Sequence, residues 1–182
     1  MNKQNRNRLA LIALLLIFAA PLLVAYLMNR AGWHPQHMRN SGTLIEPPRD
    51  VSAAAVTLAG GNKLVWRDPQ WHWTLLALPG ARCAAQCQTR LDEALRMRLT
   101  LGRNAERLRL VYLGPALTPE YVAARAPLLA GEDAAGSFAA YRAGADDDLA
   151  LALVDPNGLL MLHYPQGYSA QGLRSDVQKV LH

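Results

Sequence analysis

Among 182 residues the chain has two cysteines, Cys83 and Cys87, with three residues between them. Residues four apart on a helix share a face at a Cα separation of about 6 Å, within the range a disulfide accepts. The same spacing lets both sulfurs grip one soft metal ion. The pair lies between an apolar run closed by Pro79-Gly80 and an amphipathic segment, so it is expected at the N-terminus of a helix. Unpaired backbone N–H groups at such an end stabilise an anion, and Arg82 adds a positive neighbour, so Cys83 is expected to be a reactive thiolate. A purely stabilising disulfide is the competing reading. The loop it closes is so short that its entropic gain falls well below the roughly 3 kcal/mol ascribed to a loop of about fifteen residues.

Other side chains that could join the two sulfurs are few. His163 lies in an apolar stretch, LLMLHY, and could supply an imidazole, though a lone strand histidine also serves as an ordinary surface or hydrogen-bonded residue; His72 is a weaker candidate of the same kind. His34, His37 and Met38 have the donor types of a copper site, but in a proline-containing segment they read as exposed linker residues. Trp66, Trp71 and Trp73 are expected to fill core and strand faces, with no cofactor assigned to them.

The elements that position these residues follow from apolar periodicity. WHWTLLAL, residues 71–78, starts with alternation and ends continuously apolar, as a strand buried on both faces does. After the cysteines, Cys87, Leu91, Ala94, Leu95 and Leu99 form a stripe near period 3.6, with Gly102 as a plausible stop. LRLVYL, residues 108–113, predicts a further strand, hence strand, helix, strand with a right-handed crossover. Thr118-Pro119-Glu120 starts a short helix: Thr caps, Pro lacks a donor where none is needed, and the carboxylate sits near the positive helix end. Pro127 limits that helix, and residues 131–145 read as a loop with at most a helical turn. LALALV and LLMLHY, residues 149–154 and 159–164, flank Asp155-Pro156-Asn157-Gly158, an antiparallel hairpin. Ser169 or Gly172 opens a last amphipathic helix through Leu173, Val177, Val180 and Leu181. Upstream, residues 56–58 and 63–67 are expected to be two short strands around Ala59-Gly60-Gly61-Asn62.

The longest apolar run is LALIALLLIFAAPLLVAYLM, residues 9–28, without a charged residue. About twenty residues at ~1.5 Å rise span a hydrocarbon core of roughly 30 Å. The apolar stretch of a cleavable signal is shorter, about 7–15 residues, and ends in small residues, so residues 9–28 are read as an uncleaved anchor; cleavage would leave the domain in the same compartment without its tether. Pro21 is a potential kink that transmembrane helices tolerate. Lys3, Arg6 and Arg8 precede the span, which points residues 1–8 into the cytoplasm and the rest outward, in the inner membrane with the domain periplasmic or otherwise extracytoplasmic. Residues 29–50 form a juxtamembrane linker in which Trp33 suits either the membrane interface or the domain surface, and residues 51–182 form the domain. The formal net charge is +5, but beyond the tail 16 basic residues face 14 acidic ones, which argues against a nucleic-acid partner.

The order strand, Pro-Gly, Cys-x-x-x-Cys, helix, strand, helix, DPxG hairpin, final helix resembles the thioredoxin-like domain of the Sco family, membrane-tethered copper-handling proteins of cytochrome c oxidase assembly. It is also similar to singly anchored Sco-like proteins in which a stretch such as Asn40-Ser41-Gly42-Thr43-Leu44-Ile45-Glu46-Pro47 leads into the domain. The resemblance implies an α/β, thioredoxin-like fold, a mixed central sheet flanked by helices, after one transmembrane helix. It implies copper(I) as a candidate cofactor held by Cys83 and Cys87, and a respiratory oxidase subunit or another assembly factor as partner; His163, outside the family pattern, is the imidazole candidate that the sequence itself offers. The sequence departs from the Sco pattern at two points. The family's copper-binding histidine matches Asp147 within Asp146-Asp147-Asp148, read as a solvated loop, and Gln88 replaces the proline after the second cysteine. Carboxylate is a poor ligand for copper(I). Three functions remain open: an oxidase assembly factor acting by thiol–disulfide exchange or transient copper(I) contact, a general anchored thiol oxidoreductase without copper, and a docking scaffold presenting Arg90, Arg96, Arg103 and Arg107.

Overall fold

The computed structural model describes residues 3–30 and 40–181, which belong to two units, 1–39 and 40–182. Trp33, His34, His37 and Met38 lie outside the described residues.

In the first unit one helix, α1 (Lys3–Arg30), runs without interruption through Pro21. Its 18-residue stretch Leu11–Met28 has none of its residues buried, and Leu15, Phe18 and Leu22 are 70–74% exposed. Such an apolar surface is stable only against lipid or another apolar partner. This is the one helix, among the described residues, long and apolar enough to cross a membrane.

The second unit is built on one seven-stranded mixed sheet. Its strands are β1 (Thr43–Asp50), β2 (Thr57–Leu58), β3 (Trp73–Pro79), β4 (Leu108–Leu113), β5 (Leu128–Glu132), β6 (Leu149–Val154) and β7 (Leu159–Tyr164), in the order β1-β7-β6-β3-β4-β5-β2. β3, β4 and β5 are parallel, whereas β6, β7 and β1 add antiparallel on one side and β2 on the other. Three helices accompany them: α2 (Ala85–Leu99), α3 (Pro119–Ala123) and α4 (Ala170–Val180). The architecture is thioredoxin-like.

Period-two alternation divides the core. Leu75, Ala77, Leu110, Tyr112, Leu151 and Leu153 face α2 and α4, where they meet Leu91, Ala94, Leu173 and Val177. Leu76, Leu78, Val111, Leu113, Ala152 and Val154 face the opposite side and are covered by Val56, Trp66 and Phe138. β3 is therefore buried on both faces, as its continuous apolar run requires.

Several expectations change. Residues 63–67 do not form a strand: Thr57 makes one bridge to Lys63 around Gly61 (φ +81°), then Trp66 turns inward and donates its indole N–H to the Ala54 carbonyl at 2.7 Å. β2 pairs with β5 instead. Residues 43–50, read as the end of the linker, form edge strand β1; its Pro47 and Pro48 fall in a register shift between Leu44 and Arg49, where an edge strand needs no donors. Loop 131–145 begins inside β5, then winds through a 3-10 turn, Ala139–Tyr141, with the Asp133 carboxylate holding the N–H groups of Ser137 and Phe138. On α2 the buried stripe is Cys87, Leu91, Ala94 and Met97, while Leu99 is 68% exposed. At about 100° per residue Met97 lies about 60° from Ala94 on the buried side, whereas Leu99 has rotated about 120° from Cys87. Thr118 caps α3 by accepting from the Tyr121 N–H, as expected.

The entry segment is tightly docked. Buried Asp176 on α4 accepts from the backbone N–H groups of Ser41 (2.7 Å) and Gly42 (3.0 Å), and from the Tyr164 hydroxyl at 3.3 Å. A Cβ on Gly42 would run into the Tyr164 ring. The lead-in Asn40-Ser41-Gly42 thus has a physical role: two free N–H groups and one missing side chain let the chain enter the sheet beside α4.

Candidate functional site

β3 delivers the chain to Pro79, and Gly80 begins a loop that ends at α2. Gly80 is required there, because a Cβ would collide with the backbone oxygens of Ala145 and Asp146. Cys83 lies two residues before the first residue of α2 and Cys87 lies in its first turn. The two are joined in a disulfide with their Cα atoms 5.0 Å apart. Cys83 is partly exposed, flanked by exposed Ala84, Ala85 and Gln86, whereas Cys87 is fully buried against the core beneath α2. Residue 83 is thus partly open to solvent, while Cys87 is sealed in the core.

The N-terminus of α2 is capped from a distance. Its own cap position holds Ala84, which has no side-chain acceptor. The Asp147 carboxylate supplies one instead, accepting from the backbone N–H groups of Ala84 at 2.7 Å, Gln86 at 3.2 Å and Cys87 at 3.2 Å. Asp148 accepts from the Gln86 side-chain amide at 3.2 Å. The backbones are tied as well, with Gly80 N–H donating to the Asp148 carbonyl at 3.2 Å and Arg82 N–H to the Asp146 carbonyl at 3.0 Å. Asp146-Asp147-Asp148 is therefore a clasp over the cysteine loop, correcting its reading as a solvated run. Loss of water raises the Asp147 carboxyl pKa, but the N–H groups of Cys87, Gln86 and Ala84, with Arg82, outweigh this and hold it below the usual carboxylate value.

The clasp also corrects the expectation for Cys83. The helix-end donors foreseen as stabilising its thiolate are engaged by Asp147, and the Arg82 charge acts on that carboxylate. The signal that could have revealed this was Ala84: a helix start without a local cap must borrow an acceptor elsewhere.

A group whose folded pKa is depressed contributes stability above its unfolded pKa and loses it as pH falls through the folded value. Asp147→Asn is therefore expected to be less stable than wild type at pH 7. That gap is expected to close as the pH drops below about 3.9, the ordinary Asp value, and through the lower folded one. Urea midpoints of the two proteins across that range test this; a constant gap would contradict it.

His163 is not brought to the cysteines. It pairs with Ala152, between Leu162 and Tyr164, and those neighbours face the core that holds Cys87 while Ala152 belongs to the opposite face. Its Nε2 is 3.0 Å from the Tyr141 carbonyl, to which it donates, and its ring stands edge-on to Tyr141. His72 bonds Asp68 at 2.7 Å just before the start of β3, the end remote from Cys83, with Arg109 3.2 Å from the same carboxylate. Among the described residues no group of three or more His, Cys, Asp or Glu is gathered where it could hold a metal ion. Two sulfurs and a carboxylate already holding three N–H groups do not fit a copper(I) site that needs an imidazole.

Solved structures share this fold at low identity. Yeast Sco1 with copper bound superposes with a TM-score of 0.55 at 14% identity, over 77% of this chain and 91% of that one. Bradyrhizobium japonicum ScoI with copper bound gives 0.51 at 15%, over 76% and 98%. Xanthomonas campestris peroxiredoxin Q gives 0.50 at 13%, over 78% and 97%. No curated protein sequence matches the chain. The family model described as transmembrane-like, thioredoxin-like, C-terminal domain matches residues 73–182, from the first residue of β3 through the end of the chain. With more than half its length matched, and with the cysteine loop, its clasp and the terminal helix all inside the match, the chain belongs to this transmembrane-like, thioredoxin-like family.

Proposed function

We propose that this protein is a membrane-anchored thiol–disulfide exchange factor that serves assembly of a respiratory oxidase. One observation carries the chemistry: a partly exposed Cys83 is bonded to a fully buried Cys87 at the end of a central strand. With the pair oxidised, a partner thiolate attacks the Cys83 sulfur, and the S–S bond breaks with Cys87 leaving as thiolate and taking up a proton. A second partner thiol then attacks its own sulfur in the mixed disulfide. Cys83 leaves reduced, and the partner is oxidised by two electrons. The reverse sequence reduces a partner, with Cys83 attacking and Cys87 resolving.

The oxidase role is supported by the likeness to the Sco fold together with the anchor helix and the Asn40–Pro47 lead-in. The positive charge of Lys3, Arg6 and Arg8 supports residues 1–8 in the cytoplasm and 9–28 in the inner membrane, with the folded domain periplasmic or extracytoplasmic. That compartment permits disulfides. Oxidase maturation in cells carrying Cys83→Ser or Cys87→Ser tests the role: loss in both variants is expected, and normal maturation in both would remove it.

Transient copper(I) contact through the two reduced sulfurs is the second reading, favoured by their 5.0 Å Cα separation. Copper(I) titration of the reduced full-length protein separates the two. Exchange with weak, non-stoichiometric binding supports the first; tight one-to-one binding lost on mutating either cysteine supports the second.

A further inference from the structure

A disulfide is uncharged, but opening it puts negative charge on sulfur, either in the thiolate of the reduced pair or on the sulfur that leaves during exchange. In this chain that charge must form beside an existing one. Asp147 Oδ1 holds the N–H groups of Ala84 and Cys87, and Oδ2 holds that of Gln86, so the positive end of α2 is already occupied by an anion. The position is fixed: the Asp148 and Asp146 carbonyls accept from the N–H groups of Gly80 and Arg82 ahead of Cys83, the Asp148 carboxylate accepts from the Gln86 side chain beyond it, and Gly80 allows the two backbones to meet.

We propose that Asp147 is a positioning residue that biases the Cys83–Cys87 pair toward its disulfide, by filling with a carboxylate the helix-end donors that an anionic sulfur would otherwise use. This rests on the exchange reading above. The uncharged disulfide does not feel the carboxylate's charge, whereas a reduced pair that carries a thiolate is destabilised by it, so the equilibrium shifts to S–S; the same charge on the leaving sulfur slows the opening without moving the equilibrium. The charged groups facing Asp147 are Arg82 on the cysteine loop and Asp146 and Asp148 beside it. Arg82 partly offsets the carboxylate and weakens the bias.

The reference reaction is protein disulfide plus two glutathione thiols giving protein dithiol plus glutathione disulfide. Two electrons pass to the Cys83 and Cys87 sulfurs, with two protons where both are held as thiols and one where a sulfur freed from the carboxylate's charge stays a thiolate at the helix end. The test measures its equilibrium constant for the full-length protein in detergent at pH 7, with the dithiol fraction read by alkylation and mass shift. In Asp147→Asn the constant should move about tenfold toward dithiol, equivalent to about 30 mV. Asp147→Glu, which keeps the charge, should stay within about threefold of wild type, and Arg82→Gln should move the constant toward disulfide. A cap with a purely structural role predicts otherwise: Asn also accepts hydrogen bonds, and any loss would lower the unfolding midpoint while leaving the redox constant in place. An Asp147→Asn constant within about twofold of wild type overturns the proposal. If that variant does not fold, an unmoved constant in Arg82→Gln overturns it, since this exposed side chain makes none of the loop's backbone bonds. A wild-type pair that does not interconvert with glutathione removes the exchange reading and the inference together. Interconversion with an unmoved constant removes the inference alone.

Discussion

Cys87→Ser is expected to accumulate a covalent mixed disulfide between Cys83 and a partner protein, visible as a higher-mass band on non-reducing gels that collapses with dithiothreitol. Cys83→Ser is expected to give none, and both variants should lose exchange turnover to background. The asymmetry follows from burial. Cys83 is partly exposed, so it is the sulfur expected to take the partner's attack, whereas Cys87 is fully buried beneath α2 and bonded to Cys83. Removing the buried sulfur removes the group that would release the partner, and the intermediate persists. A simple stabilising disulfide predicts the opposite symmetry: each substitution would destabilise alike and neither would trap anything. Equal trapping by both variants, or by neither, contradicts the assignment of roles.

The largest effect on stability is expected from Leu75→Ala. Leu75 lies on the central strand, is fully buried, and packs toward α2 and α4 with Leu91, Leu110, Leu153 and Val177. Large-to-small truncation of such a residue costs about 2–5 kcal/mol, the lost transfer energy plus a cavity that the β-sheet cannot close. Against a typical stability of about 5–15 kcal/mol that is a large share. Leu99→Ala is the internal control: although it follows the same apolar helix, Leu99 is 68% exposed, and its removal should stay within about 0.5 kcal/mol. Urea unfolding of both variants checks the pair. A costly Leu99→Ala would mean that this face of α2 is covered by a partner or by another copy of the chain.

The residues that reveal their environment locally were legible from sequence. β4 and the β6–β7 hairpin fall at the expected residues because their apolar runs are bounded by turn chemistry, with Gly158 at φ +86° in the DPNG turn. Thr118 and Pro119 start α3 because the cap hydroxyl and the N–H that donates to it are three residues apart. What escaped depends on distant partners. β1 contains Pro47 and Pro48, which argue against a strand until its edge position is known, and β5 is a five-residue strand whose place depends on pairing with β4. The site shows the same division. The cysteine pair and its place before a helix could be read from spacing, whereas the capping role of Asp147 spans about sixty residues and no local pattern encodes it. The resemblance to Sco proteins aligned Asp147 with a copper ligand; the fold puts its carboxylate on three backbone donors instead.

This chain shares its fold with copper-bound Sco structures, and at the position where the resemblance implies a copper-binding histidine it has Asp147. A carboxylate at this point caps α2 and excludes a third soft donor in one step, leaving two sulfurs whose easiest reaction is with each other. On that account the anchored domain works as an exchange surface, with Cys83 as the contact atom.

The most direct measurement is the state of the two sulfurs in native membranes, taken by acid quench, alkylation of free thiols, and mass spectrometry of the peptide spanning Cys83 and Cys87. The account predicts an unalkylated intramolecular disulfide that becomes doubly alkylated after mild reduction, with no copper retained. Two free, unreactive thiols, or a pair protected by stoichiometric copper, would contradict it.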